Sequence, residues 1–210
     1  PVAATDAGAM TGMWSDLAVG RPERRFLGAA SMYGLYSRFG QATPRGVPGF
    51  VVYRPDHWMF EGSGLRYGDM LGADDGVVGY ENVGTRCVLD DVNLPVAVLD
   101  PALSHDELPV EVEVVALTPA SNLAMGEYPA SIAALDDQGD LEFIAERVYG
   151  GGKAAIAKVR HGNAVMLTCR PVGAGGGHVV TVGSTDWVFG LARDPQVARV
   201  TANILRRFAG

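Results

Sequence analysis

One segment of the chain mixes residues capable of acid–base chemistry with aromatic residues and glycines. Residues 56–65 (DHWMFEGSGL) fit neither an amphipathic helix nor a regular strand, so they indicate an unusual local geometry. The polar residues that this segment and residues 79–81 would bring to a pocket are His57, Glu61, Tyr80 and Glu81. Trp58 and Phe60 would form apolar walls, and the glycines would let a ligand approach the backbone.

A purely structural interpretation of the same residues is also open. In it, Trp58 and Phe60 alternate inward as core anchors, while His57 points to solvent. Glu61 and Glu81 would then pair with arginines or accept backbone hydrogen bonds. This interpretation predicts a structural corner of the fold rather than a binding site.

Residues 183–187 (GSTDW) form the second unusual motif. We interpret it as a connection from a strand to a helix, because short polar side chains commonly satisfy backbone donors in such connections. Those side chains would be Ser184, Thr185 and Asp186. Trp187 would then seal the core beneath the connection.

The common catalytic motifs do not occur in the sequence. Ser31 lies in the segment closest to a Gly-x-Ser-x-Gly nucleophile elbow, but its spacing is wrong, so we expect a small residue at a strand end. The glycines of residues 173–177 lack the Gly-Lys-Ser/Thr of a phosphate loop and predict a turn. Cys87 has no histidine nearby, which favours a buried, inert thiol. No zinc-site spacing relates the four histidines, His57, His105, His161 and His178.

The composition is that of a globular protein with one domain. The 210 residues are 48% hydrophobic and 20% charged, which allows a sizeable core. A formal net charge of −7 argues against nucleic-acid binding, and no apolar run predicts a membrane span. Cys87 and Cys169 form no Cys-x-x-Cys pair, so we expect a cytoplasmic protein without a disulfide framework.

Short strands separated by glycine-rich turns are expected along most of the chain. The predicted strands are residues 26–36, 50–53, 110–118, 154–159, 164–169 and 178–182, and residues 94–99 are ambiguous. We expect residues 65–79 to form a loop and residues 172–177 to join two strands as a hairpin loop.

The clearest helix is predicted at the C-terminus. Asp194 suits the N-cap and Pro195 the first helical position, while Arg206 and Arg207 complement the helix dipole in the last turn. The residues that recur at helical spacing on the apolar face are Val197, Val200, Ile204 and Phe208. A strand, a loop and a helix in this order favour an α/β sheet with helix cover.

Seven blocks of sequence suggest a known family through their order and spacing. They are TGMW at 11–14, RPE at 21–23 with Leu27 and Gly28, DHWMFEGSGL at 56–65, GVVGYE at 76–81, AVMLTCR at 164–170, VVTVGSTDWVFGL at 179–191 and ARVTANILRRF at 198–208. Together they resemble the C-terminal region of the large (beta) subunit of N,N-dimethylformamidase and its relatives. The resemblance extends over residues 11–208.

The resemblance implies both a fold and an activity. The fold would be α/β, a class I glutamine-amidotransferase-like three-layer sandwich with a mixed sheet, without the cysteine triad of that superfamily. The activity would be that of an amidohydrolase, which splits dimethylformamide into dimethylamine and formate. In the family, two tyrosines and a glutamate hold an iron ion, which polarises the carbonyl group or supplies a hydroxide.

The family's iron ligands cannot be assigned to residues of this chain. The tyrosines belong to segments that precede those present here, and the chain has Ala9 and Met10 where the glutamate is expected, with no glutamate before Glu23. The ligands could lie elsewhere, another chain or an upstream domain could complete the site, or this relative could lack iron. Pocket walls carry over at residues 31–36 and 118–122. The resulting pocket candidates are Tyr33, Tyr36, His57, Glu61 and Asn122.

Two functions of different classes follow from these observations. The first is a component of a bacterial amidohydrolase that acts on a small amide, either as the C-terminal part of a longer enzyme or as a separate subunit of an oligomer. The second is a non-catalytic α/β domain that binds a partner or a small ligand on the same scaffold. We expect neither a nucleic acid nor a membrane as a partner.

Overall fold

A computed structural model describes residues 23–31, 36–37, 49–90, 96–99, 109–121, 140–171, 173, 175 and 177–209. The helices are α1 (Arg24–Leu27), α2 (Asp140–Tyr149), α3 (Lys153–Val159), α4 (Trp187–Gly190) and α5 (Pro195–Ala209). The strands are β1 (Tyr36–Ser37), β2 (Phe50–Val52), β3 (Met70–Leu71), β4 (Tyr80–Glu81), β5 (Cys87–Asp90), β6 (Val96–Leu99), β7 (Val110–Ser121), β8 (His161–Arg170) and β9 (Val179–Val182). Two short 3-10 turns cover Trp58–Phe60 and Ala73–Asp75.

Five of the strands form a central sheet in the order β3, β2, β7, β8, β9. Each neighbouring pair in this sheet is antiparallel. The long pair of β7 and β8 is irregular at two places in β7, between Val110 and Glu113 and between Val114 and Ala116. The other described strands form two ribbons, β1 with β4 and β5 with β6. The sheet is therefore a bulged antiparallel one, flanked by short ribbons.

Strand β8 shows that both faces of the central sheet are covered. All six residues from 164 to 169 are buried. Ala164 and Met166 belong to an apolar cluster that includes residues of β2 and α5, whereas Val165 and Leu167 belong to a second cluster on the other face. A strand buried on both faces needs apolar residues throughout instead of alternation. This explains the apolar run of residues 164–167 within the predicted strand.

Helix α5 covers one face of the sheet as the sequence predicts. The Asp194 carboxylate accepts the backbone N–H groups of Gln196 at 2.7 Å and Val197 at 3.2 Å, which confirms Asp194 as the N-cap. Val197 and Val200 are fully buried, but Phe208 is 49% exposed, so the buried face ends one turn earlier than predicted. Neither α5 nor any other described helix combines the length and the apolar run needed to cross a membrane.

The sequence predicted some elements correctly and others wrongly. The strands expected at 50–53, 110–118, 164–169 and 178–182 are confirmed, and the ambiguous residues 94–99 contain β6. Residues 154–159 form helix α3 instead of a strand, and the expected strand at 26–36 begins inside helix α1. Ala155 and Val159, four positions apart, are buried in a small cluster with α2. Alanine and lysine favour a helix. The buried pair Ala155 and Val159, spaced i, i+4, is enough to pack α3 against α2.

The α/β class is confirmed, but the mixed sheet is not seen among the described strands. All their pairings are antiparallel, whereas a mixed sheet needs at least one parallel pair. Part of the reason is the hairpin between β8 and β9, which confirms the loop predicted at 172–177, because strands joined by so short a loop pair antiparallel. Residues 65–79, expected to be loop, also contain β3, which pairs with β2.

Three segments meet through their backbones at Gly183. The N–H of Gly183 donates to the carbonyl of Val165 at 2.9 Å, and the N–H of Val165 donates to the carbonyl of Val83 at 3.2 Å. The N–H of Val83 donates to the carbonyl of Gly183 at 3.1 Å, which closes the ring. A Cβ atom on Gly183 would lie 2.5 Å from both the Val165 and the Val83 oxygen atoms, so only glycine fits.

We expect Gly183→Ala to lower the free energy of unfolding by more than about 3 kcal/mol, because the new methyl group meets rigid backbone. Gly175→Ala is the matched control, since Gly175 has a φ of 57° but open space around it. The control should cost only about 1–2 kcal/mol, the cost of the left-handed backbone. Urea unfolding measures both, and equal losses would contradict the steric argument.

Candidate functional site

A cavity of about 280 Å³ opens beside the ring at Gly183. The described residues that line it are Ser31, Glu81, Asn82, Val83, Val182, Gly183, Ser184 and Thr185. They provide three hydroxyl groups, one carboxylate and one amide against two valine side chains. A small cavity with a few convergent polar groups and an apolar wall is the usual form of a small-molecule site.

Ser184 joins the two sequence motifs that border the cavity. Its hydroxyl accepts the N–H of Gly79 at 3.0 Å and donates to the carbonyl of Gly79 at 3.1 Å. It also accepts the N–H of Asp186 at 3.2 Å. The hydroxyl is therefore committed to three backbone groups, and its role is to hold the segment around Gly79 beside the end of β9.

Thr185 fixes the backbone of Glu81 from both sides. The backbone N–H of Thr185 donates to the Glu81 carbonyl at 3.0 Å, and the Thr185 hydroxyl accepts the Glu81 N–H at 3.3 Å. Asn82 is buried and forms an antiparallel bridge with Ser184. With its backbone held in this way, the half-buried Glu81 side chain lines the cavity in a defined place.

Ser31 reaches the cavity from another part of the chain. Ala30 pairs with Gly84 through two backbone hydrogen bonds of 2.8 Å and 3.1 Å, which bring Ser31 beside residues 81–83. The N–H of Ser31 donates to the Glu23 carboxylate. The segment after Gly84 is fixed in turn, because the Asn163 side chain bonds the N–H and the carbonyl of Thr85, at 3.0 Å and 2.7 Å.

His57 lies away from this cavity and does not point to solvent. Its side chain is 6% exposed, and Nδ1 accepts the N–H of Met59 at 3.3 Å, so His57 caps the turn of residues 58–60. An accepting Nδ1 places the proton of the neutral ring on Nε2, which lies 3.8 Å from the Glu113 carboxylate. Burial lowers the pKa of His57, while Glu113 opposes that shift.

The structure separates the residues that the sequence placed in one pocket. Glu81 lines the cavity at Gly183, but Glu61 lines a different cleft beside α5. Tyr36 pairs with Glu81 across the β1–β4 ribbon. Tyr33 and Asn122 lie outside the described residues.

The structural interpretation of residues 58–60 is correct in part. Met59 and Phe60 are buried in the first cluster, and Trp58 packs against that cluster while partly exposed. The side chains do not alternate as in a strand, because the residues form a 3-10 turn. In the second motif, Ser184 satisfies backbone donors as predicted, and Trp187 packs edge-on against Phe50 with ring centroids 6.2 Å apart. Sequence reasoning missed the joining of the two motifs, which depends on long-range pairing.

The described residues provide no cluster of His, Cys, Asp and Glu side chains that could hold a metal ion. Among them, no three His, Cys, Asp or Glu side chains come together, and Glu81 is the one carboxylate among the lining residues of the cavity. Burial raises the pKa of the Cys169 thiol to about 11, so it stays protonated at neutral pH. Cys87 is half-buried, at the start of β5.

Ser184→Ala should lower the free energy of unfolding by about 1–3 kcal/mol, because Gly79 loses both hydrogen bonds to the hydroxyl. Thr185→Val is the control, since it removes a single 3.3 Å bond and keeps the shape of the side chain. Urea denaturation of the two variants should rank Ser184→Ala as the more damaging. A larger loss of unfolding free energy from Thr185→Val would be evidence against Ser184 as the main contact between the two motifs.

His57 predicts a pH-dependent contribution to stability. Because burial lowers its pKa in the folded state, the unfolded chain binds the proton first as the pH falls. The contribution is therefore complete above the unfolded value of about 6.5 and is lost as the pH falls through the folded pKa. His57→Asn keeps a capping side chain but cannot titrate. Urea unfolding between about pH 7.5 and about pH 5 should show a smaller pH dependence of stability in this variant than in the unmodified chain. An unchanged dependence would contradict the assignment of this effect to His57.

Comparison with known proteins gives a family for the chain. Residues 1–200 match the family described as "N,N-dimethylformamidase beta subunit-like, C-terminal". No curated protein matches the chain. The match includes both motifs that border the cavity, and it covers far more than half of the 210 residues. The chain therefore belongs to the N,N-dimethylformamidase beta subunit-like, C-terminal family.

Proposed function

We propose that this chain is a component of an amidohydrolase resembling N,N-dimethylformamidase and that it contributes to the hydrolysis of a small amide. The observation that carries the proposal is the family match over residues 1–200. The words "beta subunit" in the family description support an assembly of several subunits, in which a second chain or an upstream region completes the site. The three-layer, glutamine-amidotransferase-like sandwich is part of the same proposal, as is a cytoplasmic location.

The cavity at Gly183 suits a small amide in size and chemistry. Its volume of about 280 Å³ is just below the usual range for ligand pockets, which begins at about 300 Å³, so it suits a very small ligand. A dialkyl amide carries one carbonyl acceptor and no N–H donor, so it needs hydrogen-bond donors at one end and apolar contact at the other. The Ser31 hydroxyl supplies a donor, and Val83 and Val182 supply the apolar contact.

The same residues support a hydrolytic sequence. The Glu81 carboxylate accepts a proton from a water molecule, and the resulting hydroxide adds to the carbonyl carbon of the amide. The Ser31 hydroxyl donates to the carbonyl oxygen as negative charge develops there. The C–N bond then breaks, and the proton passes from Glu81 to the departing amine, leaving a carboxylic acid. Thr185 holds Glu81 in place and Ser184 holds the nearby Gly79, and neither takes part in these steps.

Iron remains a prediction from the family. None of the steps above depends on iron. The proposal places any iron ligands in the region or chain that completes the site. This assignment keeps Glu81 and Ser31 as contributions of the present chain to an active site that it shares.

A non-catalytic role is the alternative, and one observation favours it. The Ser184 and Thr185 hydroxyls are occupied by backbone groups of Gly79, Glu81 and Asp186. A polar lining can thus arise from joining two segments, without selection for a substrate. On this alternative, the chain would bind a partner or a small ligand on the same scaffold.

The test is an assay of the chain assembled with its upstream region or partner subunit, with N,N-dimethylformamide as substrate. Glu81→Gln should lower kcat by about 100-fold or more, because the amide cannot accept the proton. Ser31→Ala should lower kcat by about tenfold to 100-fold through the loss of one donor. Val188→Ala is the control, since Val188 is exposed and lies outside the cavity lining.

Two outcomes would contradict different parts of the proposal. An assembly that stays inactive both with and without added iron would exclude the amidohydrolase. An active assembly that both cavity variants leave unchanged would exclude the cavity as the site and favour the non-catalytic role for this chain.

A further inference from the structure

A second cleft lies between residues 58–62 and helix α5. Its volume is about 630 Å³, and its lining includes Trp58, Glu61, Arg199, Asn203, Arg206 and Arg207. It shares no described lining residue with the cavity at Gly183. Three guanidinium groups border one cleft of a chain whose net charge is −7. This local excess of positive charge is independent of the amidohydrolase proposal.

Asn203 builds the floor of the cleft. Its Nδ2 donates to the carbonyl of Met59 at 3.0 Å and to the carbonyl of Glu61 at 2.7 Å. Both amide hydrogens are therefore used to fix the turn to α5. The Oδ1 atom of Asn203 accepts a hydrogen bond from Nη1 of Arg206 at 3.5 Å. The turn and the helix thus hold one another, and Asn203 orients Arg206.

Trp58 positions a second guanidinium. The Cζ atom of Arg207 lies 5.6 Å from the centroid of the Trp58 ring, within the range of a cation–π contact. A cation–π contact is not a hydrogen bond to a lone pair. It therefore leaves the N–H groups of Arg207 available to a ligand. An arginine ordered before binding loses less side-chain entropy when the ligand arrives.

The arginines of this cleft differ from others on the surface. Arg170 pairs with Glu111 at 2.8 Å and Arg193 pairs with Asp75 at 3.0 Å. Within the part of the chain that the structure describes, no ion pair joins Arg199, Arg206 or Arg207 to a carboxylate. Like charges that border one cleft repel each other, and a bound anion relieves that repulsion.

We propose that this cleft binds a small organic oxyanion, either a phosphate ester or a carboxylate. Guanidinium groups present forked N–H donors that match the oxygen atoms of both anions. Glu61 in the lining disfavours a ligand that is anionic throughout, but its carboxylate accepts a hydrogen bond from a hydroxyl group. The ligand class is therefore an anion that also carries a hydroxyl group.

Isothermal titration calorimetry on the whole chain, at low ionic strength, tests this site. The probes are glycerol 3-phosphate, malate and inorganic phosphate, with chloride at matched ionic strength as the background. We expect saturable binding of glycerol 3-phosphate or malate, and weaker binding of inorganic phosphate, which lacks the hydroxyl-bearing carbon chain. The tighter of the two organic probes identifies the phosphate or the carboxylate as the recognised group.

Arg206→Gln should weaken that binding at least about tenfold, because a hydrogen bond between two charged groups is lost. Arg66→Gln is the matched control: it removes the same charge from an exposed residue outside the cleft lining, and it should change the affinity less than about twofold. Circular dichroism checks that the variants fold, and Arg199→Gln replaces Arg206→Gln if the latter does not.

Three results would overturn the proposal. The first is the absence of saturable binding of any probe to the unmodified chain. The second is an equal loss of affinity in the cleft variant and in Arg66→Gln, which would indicate a general effect of net charge. The third is tighter binding of an acidic peptide, such as hexaglutamate, than of any small probe, which would make the cleft a protein-docking surface instead.

Discussion

The ring of three backbone hydrogen bonds at Gly183 is the contact on which the rest of the site depends. It joins Val83, Val165 and Gly183, and it leaves no room for a side chain at the last of these. Because the ring holds residue 83 against the sheet, the preceding residues must lie beside the end of β9. Ser184 and Thr185 can then reach Gly79 and Glu81. The polar lining of the cavity is a direct consequence of this close backbone approach.

The two covered faces of the sheet explain why residues 58–60 and Glu81 belong to different sites. Residues 58–60 pack with α5 in the first apolar cluster, and Asn203 fixes them to that helix. The cavity at Gly183 is instead built where the segment around Val83, which packs in the second cluster, reaches the sheet. His57 and Glu81 are therefore held by separate networks, although the sequence shows them close together. The residues that the sequence placed in one pocket therefore lie at two places, the cleft beside α5 and the cavity at Gly183.

The sequence predicted the features that depend on local chemistry. Asp194 followed by Pro195 specifies a helix start wherever the segment lies, and the apolar run of residues 164–167 favours a strand covered on both sides. Helix α3 was missed because its short apolar run is equally compatible with a buried strand, and its contact with α2 decided between them. The joining of Gly79 to Ser184 links positions 105 residues apart. No local pattern encodes such a contact, so neither motif revealed its partner.

The hydrogen bonds at the cavity also decide which hydroxyl is available for chemistry. A serine hydroxyl has one hydrogen to donate and two lone pairs to accept with. Ser184 donates to Gly79 and accepts from Gly79 and Asp186, so its capacity is fully used. Moving its hydrogen to a substrate would leave the Gly79 carbonyl without that partner. Ser31 is bound through its backbone N–H to Glu23, an interaction that leaves the orientation of its hydroxyl independent. If the cavity acts on a ligand, the serine that contacts it is therefore Ser31, although Ser184 lies in the more conspicuous motif.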